Sequence, residues 1–319
     1  HLYLGDGRGG FRNVSRSWGI TDKQVSQGAT FADVDRDGYP DLYVCNWFAA
    51  DKFYRNNQGA GFTPVPLNIP HLQQPFNSNG VSFADIDNDG DLDLMVTDRD
   101  GKSALYANLT DSTDHNWQFR DITMQAGLAI PHAAYGSVLA DFNNDGRMDV
   151  WISTIGPNSL FLQKEDLQFE KVFEKQVPSH SNIQYYSTGA ACADVDSDGD
   201  LDLFVSNKDT NSVFYLNQTN NKNFLKLTIR GIRSNRDAIG SKISLYIQES
   251  ENQKRRLVGY REISGGGGYL SQNSSTVHLG VKPRQLYQVT VQFPGGIKKT
   301  LDHLMVGGHY TIIEETGIL

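Results

Sequence analysis

Apolar residues along this chain recur with a two-residue period, interrupted every few positions by Gly, Asn, Asp or Pro. Segments such as Leu92-Asp-Leu-Met-Val96 and Phe224-Leu-Lys-Leu-Thr-Ile229 alternate in this way, the pattern of half-buried strands. A sustained helical period is nowhere found. The strand pattern itself repeats. The run Gly28-Ala-Thr-Phe-Ala-Asp33-Val-Asp35-Arg-Asp37-Gly38-Tyr-Pro-Asp41-Leu-Tyr-Val44 returns from Gly80, Gly136 and Gly189. The first acidic positions, Asp33, Asp85, Asp141 and Asp194, are 52, 56 and 53 residues apart. An apolar triplet follows in each copy (Phe53 to Arg55, Leu105 to Ala107, Leu160 to Leu162, Phe214 to Leu216), closed by Asn56, Asn108, Gln163 and Asn217. A fourth short segment recurs at Phe11–Val14, Phe62–Val65, Phe119–Ile122 and Phe169–Val172. Four antiparallel strands in about fifty residues make one β-propeller blade. The chain opens in mid-blade, with His1–Leu4 as a third strand and Phe11–Val14 as a fourth, and the repeat at 189–217 supplies only three. Closing a ring of four would leave one strand over, so a larger ring is expected.

Each repeat carries Asp-x-(Asp/Asn)-x-Asp-Gly-x-x-Asp. The expected metal ligands are Asp33, Asp35, Asp37, Tyr39 and Asp41; Asp85, Asp87, Asp89, Asp91 and Asp93; Asp141, Asn143, Asp145, Arg147 and Asp149; and Asp194, Asp196, Asp198, Asp200 and Asp202. Positions one, three, five and nine offer side-chain oxygen, and position seven offers its backbone carbonyl. Gly38, Gly90, Gly146 and Gly199 at position six allow a reversal that a Cβ would oppose. Clustered oxygens without nitrogen or sulfur select a hard cation, and this many carboxylates suit Ca²⁺ better than Mg²⁺. About four Ca²⁺ ions are therefore expected, with a mainly structural role. The loops start as an EF-hand does but run into a strand, since position twelve is Val44, Val96, Ile152 or Val205 in place of a bidentate Glu. The Asn143 copy has one charge fewer and is expected to bind most weakly.

Composition sharpens this picture. Of the acidic residues 29 are Asp and 8 are Glu, and 17 of the Asp lie in the four loops. Residues 1–220 carry a net charge of −15 and residues 221–319 a net +7, so an acidic repeat region, 1–220, is expected to precede a separate basic domain, 221–319. The basic residues Lys254-Arg-Arg256 and Lys298-Lys299 would attract acidic polysaccharide or face the acidic repeats. They lack the helix or aromatic sheet that would point to nucleic acid, and no apolar run is long enough for a membrane span. Cys45 and Cys192 read as two buried small residues rather than a disulfide. Sequons at Asn13, Asn108, Asn217 and Asn273 are no more numerous than composition predicts, and glycosylation is a weak expectation.

Residues 222–319 alternate as strands of a small β-sandwich. Gly231-x-x-Ser-Asn-Arg-Asp-Ala-Ile-Gly240, Arg261-Glu-x-x-Ser-Gly-Gly-Gly-Gly-Tyr-Leu-Ser-Gln-Asn273, His278-Leu-Gly280 and Val291-Gln-Phe-Pro-Gly-Gly296 resemble the ASPIC/UnbV domain. The upstream loops resemble FG-GAP (VCBS) repeats, the integrin-type blades. The order of the two is similar to that in the cartilage acidic protein family. The resemblance implies a secreted, extracellular calcium-binding propeller of seven blades with a matrix, cell-surface or adhesion role and no known reaction.

The leading expectation is a non-catalytic adhesion or matrix protein with an extracellular protein or glycan ligand, self-associating through its incomplete end blades. One alternative is a lectin, with sugars held near Asn46-Trp47-Phe48 or Asn207-Lys-Asp209. Another is a polysaccharide-active enzyme on a propeller scaffold. No catalytic or phosphate-binding motif is present. Gly265–Gly268 reads as a turn and Ser234-Asn-Arg-Asp237 as a hydrogen-bonded one. His71, His132 and His180, at comparable places between repeats, could converge on a metal or ligand at one propeller face, but exposed loop histidines are the commoner case.

Overall fold

The computed structural model describes residues 1–111, 116–176, 186–247, 255–315 and 317–318. The repeats fold as expected. The first blade comprises strands Val25–Ala32, Asp41–Ala49, Lys52–Asn56 and Phe62–Pro64, the second Phe76–Ala84, Asp93–Asp98, Ala104–Asn108 and Phe119–Asp121. The third runs from Ala134–Ala140 through Asp149–Thr154 and Pro157–Gln163 to Phe169–Gln176, and the fourth has Tyr186–Ala193, Asp202–Lys208 and Val213–Tyr215. Within each blade neighbours pair antiparallel. A two-stranded ribbon, Tyr3–Gly5 with Phe11–Asn13, precedes them. It sits on the first blade, where Phe62 donates to the Trp18 carbonyl at 2.7 Å and Leu2, Trp18 and Ile20 cover Leu42, Tyr54 and Phe62. The Phe11 strand thus pairs in a sheet apart from the fourth blade.

Apolar cores lie between successive blades: Tyr43, Phe53, Leu94 and Tyr106 between first and second, Met95, Leu105, Val150 and Phe161 between second and third, Val138, Trp151, Leu203 and Val205 between third and fourth. Cys45 and Cys192 are both buried and free. The first strands of successive blades pack against one another and so lie innermost. Each carries a register shift beside its repeat glycine, between Ser26 and Gly28, Ser78 and Gly80, Ala134 and Gly136, Ser187 and Ala190. The glycines are there for closeness. A Cβ on Gly136 would stand 2.8 Å from the Thr188 carbonyl of the next blade, and one on Gly80 2.7 Å from the Tyr135 carbonyl, both inside van der Waals contact.

The C-terminal residues form two four-stranded sheets. One contains Val277–Gly280, Phe224–Arg230, Gly308–Ile313 and Gly317–Ile318; the other contains Arg256–Glu262, Lys242–Ile247, Tyr287–Gln292 and Lys298–Leu304. Leu225, Leu227 and Ile229 from the first meet Leu245, Val289 and Val291 from the second in a single core, which makes a β-sandwich. Phe224–Arg230 and Gly308–Ile313 run parallel, a pairing that alternation alone cannot predict. The Ser234 segment is a turn, as expected. The backbone N–H groups of Ile232, Arg233 and Ser234 all donate to Glu314 Oε2, at 2.7, 2.7 and 2.9 Å.

The glycine run departs from expectation. Residues 264–274 do not merely turn; they form a strap laid along the inner strands of all four blades. Thr30 Oγ1 donates to the Gly266 carbonyl at 2.8 Å. Val81 and Gly268 exchange backbone hydrogen bonds of 3.1 and 2.8 Å. A Cβ on Gly268 would meet the Ser137 carbonyl at 2.6 Å, and one on Gly189 the Tyr269 carbonyl at 2.6 Å. At the fourth blade Cys192 N–H donates to Asn273 Oδ1 and Ser274 N–H to the Cys192 carbonyl, both at 3.1 Å. Only residues without a Cβ fit between these backbones.

Candidate metal centres

The four acidic loops connect the first and second strands of their blades and repeat one hydrogen-bond pattern. The position-six glycines have φ of +97, +95, +89 and +96°, and position four (Arg36, Asn88, Asn144, Ser197) is also left-handed, at 59, 60, 60 and 63°. Position-six N–H donates to the position-one carboxylate: Gly38 to Asp33 at 2.8 Å, Gly90 to Asp85 at 3.2 Å, Gly146 to Asp141 at 2.7 Å and Gly199 to Asp194 at 3.0 Å. Position-seven N–H donates to position five, from Tyr39 to Asp37, Asp91 to Asp89, Arg147 to Asp145 and Asp200 to Asp198, at 2.9 to 3.0 Å. These bonds curl the chain so that short side chains converge. Ligand atoms of Asp33, Asp35 and Asp37, of Asp85, Asp87 and Asp93, and of Asp194, Asp196 and Asp202 each lie within 4.8 Å of one another.

Position nine has a second task. Asp41 accepts Val34 N–H at 3.1 Å with one oxygen and Asn56 N–H at 2.8 Å with the other. Asp93 does the same with Ile86 and Asn108, Asp149 with Phe142 and Gln163, and Asp202 with Val195 and Asn217, at 2.7 to 3.0 Å. Each position-nine carboxylate therefore locks its hairpin to the third strand, with lone pairs left over for an ion. The residue closing the recurrent triplet completes the lock. Asn108, Gln163 and Asn217 donate side-chain N–H to the carbonyls of Val34, Ile86 and Phe142, at 3.3, 3.0 and 2.7 Å, each in the loop of the preceding blade. Their recurrence is visible in the sequence, but the blade-to-blade bond is not. Asn108 is buried by this role and Asn217 is bound, so Asn13 and Asn273 are the exposed sequon asparagines.

Burial pushes the carboxyls upward, Asp41, Asp91 and Asp149 to about 8, Asp85 to about 7 and Asp141 to about 6, with neighbouring Asp side chains adding to desolvation and Arg261 (on Asp85 and Asp141) and Arg36 (on Asp91) opposing it. Two position-one oxygens, Asp33 Oδ1 and Asp194 Oδ1, are buried without any hydrogen-bond partner, as is Asp91 Oδ1. Orphaned buried oxygens in an all-oxygen donor set fit a hard divalent cation. The third loop differs. Asn143 replaces a carboxylate, and the Arg147 guanidinium sits 2.5 Å from Asp145 Oδ2.

The basic half of the chain covers this face. Lys242 Nζ pairs with Asp33 Oδ2, and Lys226 Nζ lies 2.6 Å from Asp194 Oδ2. Arg261 lines a cavity of about 170 Å³ together with Asp85 and Asp141 and is attracted by both. Glu262 lines it too; burial, with Asp33 adding, pushes its carboxyl up to about 8. His278 Nε2 is 2.6 Å from Asn144 Oδ1. Phe224 packs on Gly199, Leu257 on Gly90 and Gly280 on Asp141. The charge split along the sequence was the signal for this contact, and of the conspicuous basic runs Arg256 reaches it, lining a cavity with Asp87 and Asp145, while the close pairs are made by Lys226 and Lys242, which stand outside those runs. Lys254 lies outside the described residues.

Other sequence candidates are drawn into the fold. His71 is buried, its Nδ1 2.5 Å from the Tyr106 hydroxyl and its ring stacked on Phe76 at 4.4 Å, and His132 is half-buried beside Gly156. Neither joins a metal-competent cluster among the described residues, and His180 lies outside them. Asn46 donates to Asp22 and to the Ala50 carbonyl at 2.8 and 3.1 Å, and Asn207 donates to the Asn211 carbonyl at 2.8 Å. Arg99 lies over the Trp47 ring at 5.0 Å, while Phe48 is left exposed.

Blades of this build with one acidic hairpin loop each define a class, and family models agree with it. The FG-GAP-like repeat model matches residues 33–96, 85–152 and 141–205, and the ASPIC and UnbV model matches residues 231–318. The chain belongs to the FG-GAP-like repeat family, with an ASPIC and UnbV module behind the repeats. It is similar to Cartilage acidic protein 1 of Homo sapiens, 26% identical over 295 residues that cover 89% of this chain and 43% of that protein. The counterpart in Xenopus tropicalis is 25% identical over 294 residues, covering 89% and 44%. The chain spans less than half the length of these relatives. Among solved structures, an Agrocybe aegerita lectin described as recognising terminal N-acetylglucosamine overlaps loosely, with TM-score 0.39 and 14% identity over 88% of this chain and 79% of that one.

Proposed function

We propose that this chain is part of an extracellular, non-catalytic matrix or adhesion protein whose propeller loops bind Ca²⁺. Residues 1–220 form the calcium-bearing repeats and residues 221–319 the domain that covers them. The observation that carries this reading is the repeated oxygen cluster with buried, orphaned atoms at Asp33 and Asp194. The similarity to Cartilage acidic protein 1 supports the matrix setting. Bound Ca²⁺ supplies positive charge among carboxylates that otherwise repel; the residues of positions one, three, five and nine and the carbonyls of Tyr39, Asp91, Arg147 and Asp200 hold it. Millimolar calcium outside cells would keep even loose loops of this kind loaded. Because the sandwich covers the loop face, a protein or glycan ligand meets the outer blade surfaces or the opposite end. Among the described residues no strand pairs with the outer edge of Val213–Tyr215, and Phe204 and Phe214 are exposed, which favours self-association there.

Calcium titration against a chromophoric chelator, with sedimentation of the loaded protein, tests the reading. Binding of up to four ions with magnesium a poor competitor is expected, and a folded chain that takes up no calcium would overturn it.

A further inference from the structure

Lys226 and Lys242 come from different sheets of the sandwich and reach loops at opposite ends of the repeat array, yet make the same contact. Each pairs with Oδ2 of a position-one Asp, the oxygen that also accepts the position-six glycine N–H, and in each case Oδ1 stays buried and unpartnered. Lysine and Asp side chains in these pairs are largely enclosed, with 12 to 13% and 3% of their surface exposed. An ordinary interdomain salt bridge would have no reason to select position one twice. The second loop is the contrast. It has five carboxylates, Asp85, Asp87, Asp89, Asp91 and Asp93, and among the described residues none of them is in an ion pair within 4.0 Å; Arg261 and Arg36 act on Asp85 and Asp91 only from beyond that distance. The first loop carries a further cation, Arg55, 3.1 Å from Asp35 Oδ2.

Resting on the calcium reading above, we propose that Lys242 and Lys226 set the calcium affinity of the first and fourth loops, which leaves the second loop the tightest site of the four. A fixed positive charge on the outer oxygen of position one orients the inner oxygen toward the loop but repels a divalent ion across a few ångströms of protein, where charges interact strongly. The third loop is weakened by its own means, through Asn143 and Arg147. Coupling of this kind is reciprocal. Calcium in the first and fourth loops therefore loosens the grip of the sandwich on the propeller, and low calcium tightens it.

The test compares wild type with Lys242→Met, Lys226→Met and Lys242→Arg in the full chain, each titrated with Ca²⁺ against a chromophoric chelator and melted with and without calcium. Wild type should show one tight and three weaker ions. Each Met variant should tighten one weak site about tenfold and widen the gap between loaded and chelated melting temperatures. Lys242→Arg, which keeps the charge, should match wild type. Unchanged or weaker binding in a Met variant that melts cooperatively when loaded would overturn the proposal, and Lys226→Met decides alone if Lys242→Met does not fold. A wild type that binds no calcium at all would instead remove the reading on which the proposal rests.

Discussion

In the C-terminal sandwich one continuous apolar core joins both sheets, with Leu225, Leu227, Ile243, Leu245, Val289 and Val291 almost wholly buried. Between the propeller blades the apolar contacts are divided into separate clusters; carboxylate locks hold each blade together, and amide bridges and a glycine strap join one blade to the next. The two regions share strand content and alternation but not the source of their stability. Burial of apolar surface is insensitive to ions and pH, whereas buried carboxylates depend on what neutralises them. One all-β chain thus joins a unit with a single apolar core to one whose apolar clusters are interleaved with buried carboxylates.

The sharpest way to break this contrast is chelation. Removing calcium should cost the propeller about 4 kcal/mol for every loop held a thousandfold above its dissociation constant, while the sandwich keeps its protection. Hydrogen exchange read strand by strand checks this, and equal loss of protection in Leu42–Val44 and Leu225–Leu227 would erase the distinction. Next in size is Leu245→Ala. It should lower stability by about 3 kcal/mol, by the same amount in calcium and in chelator, as denaturant melts of both forms would show.

The smallest effect concerns acid. Burial holds His71 down at about 4, with Asp121 opposing and Lys102 adding to the shift. A folded pKa below the unfolded value means that its contribution is present above about 6.5 and is lost as pH falls toward 4. In saturating calcium the propeller should lose about 2 kcal/mol between pH 7 and pH 5, and His71→Phe, melted at those two pH values, should lose less than wild type. An identical pH slope in the variant would remove His71 from the account.

Much of the repeat region was legible because its periodicity reports local geometry. Asp at alternate positions followed by glycine curls a hairpin loop whatever surrounds it, and Gly38, Gly90, Gly146 and Gly199 adopt the positive φ that their spacing predicts. The triplet-closing Asn108, Gln163 and Asn217 were visible as a recurrence without a meaning, because their partners lie in the preceding blade. The Gly265–Gly268 run reads as a turn because a sequence shows absent side chains but not the backbones that require their absence.

The sequence by itself determined the strands, the blade repeat, the four oxygen-lined loops and the opposition of an acidic front to a basic back. Those are properties of neighbours along the chain or of summed charge. Only the tertiary structure decided that the basic part covers the loops, that Lys242 and Lys226 rather than the conspicuous Lys298 and Lys299 meet the position-one carboxylates, and that a strap follows the inner strands of all four blades. These contacts join residues up to 236 positions apart. Alternation constrains which face of a strand is buried, but not which distant surface lies against it.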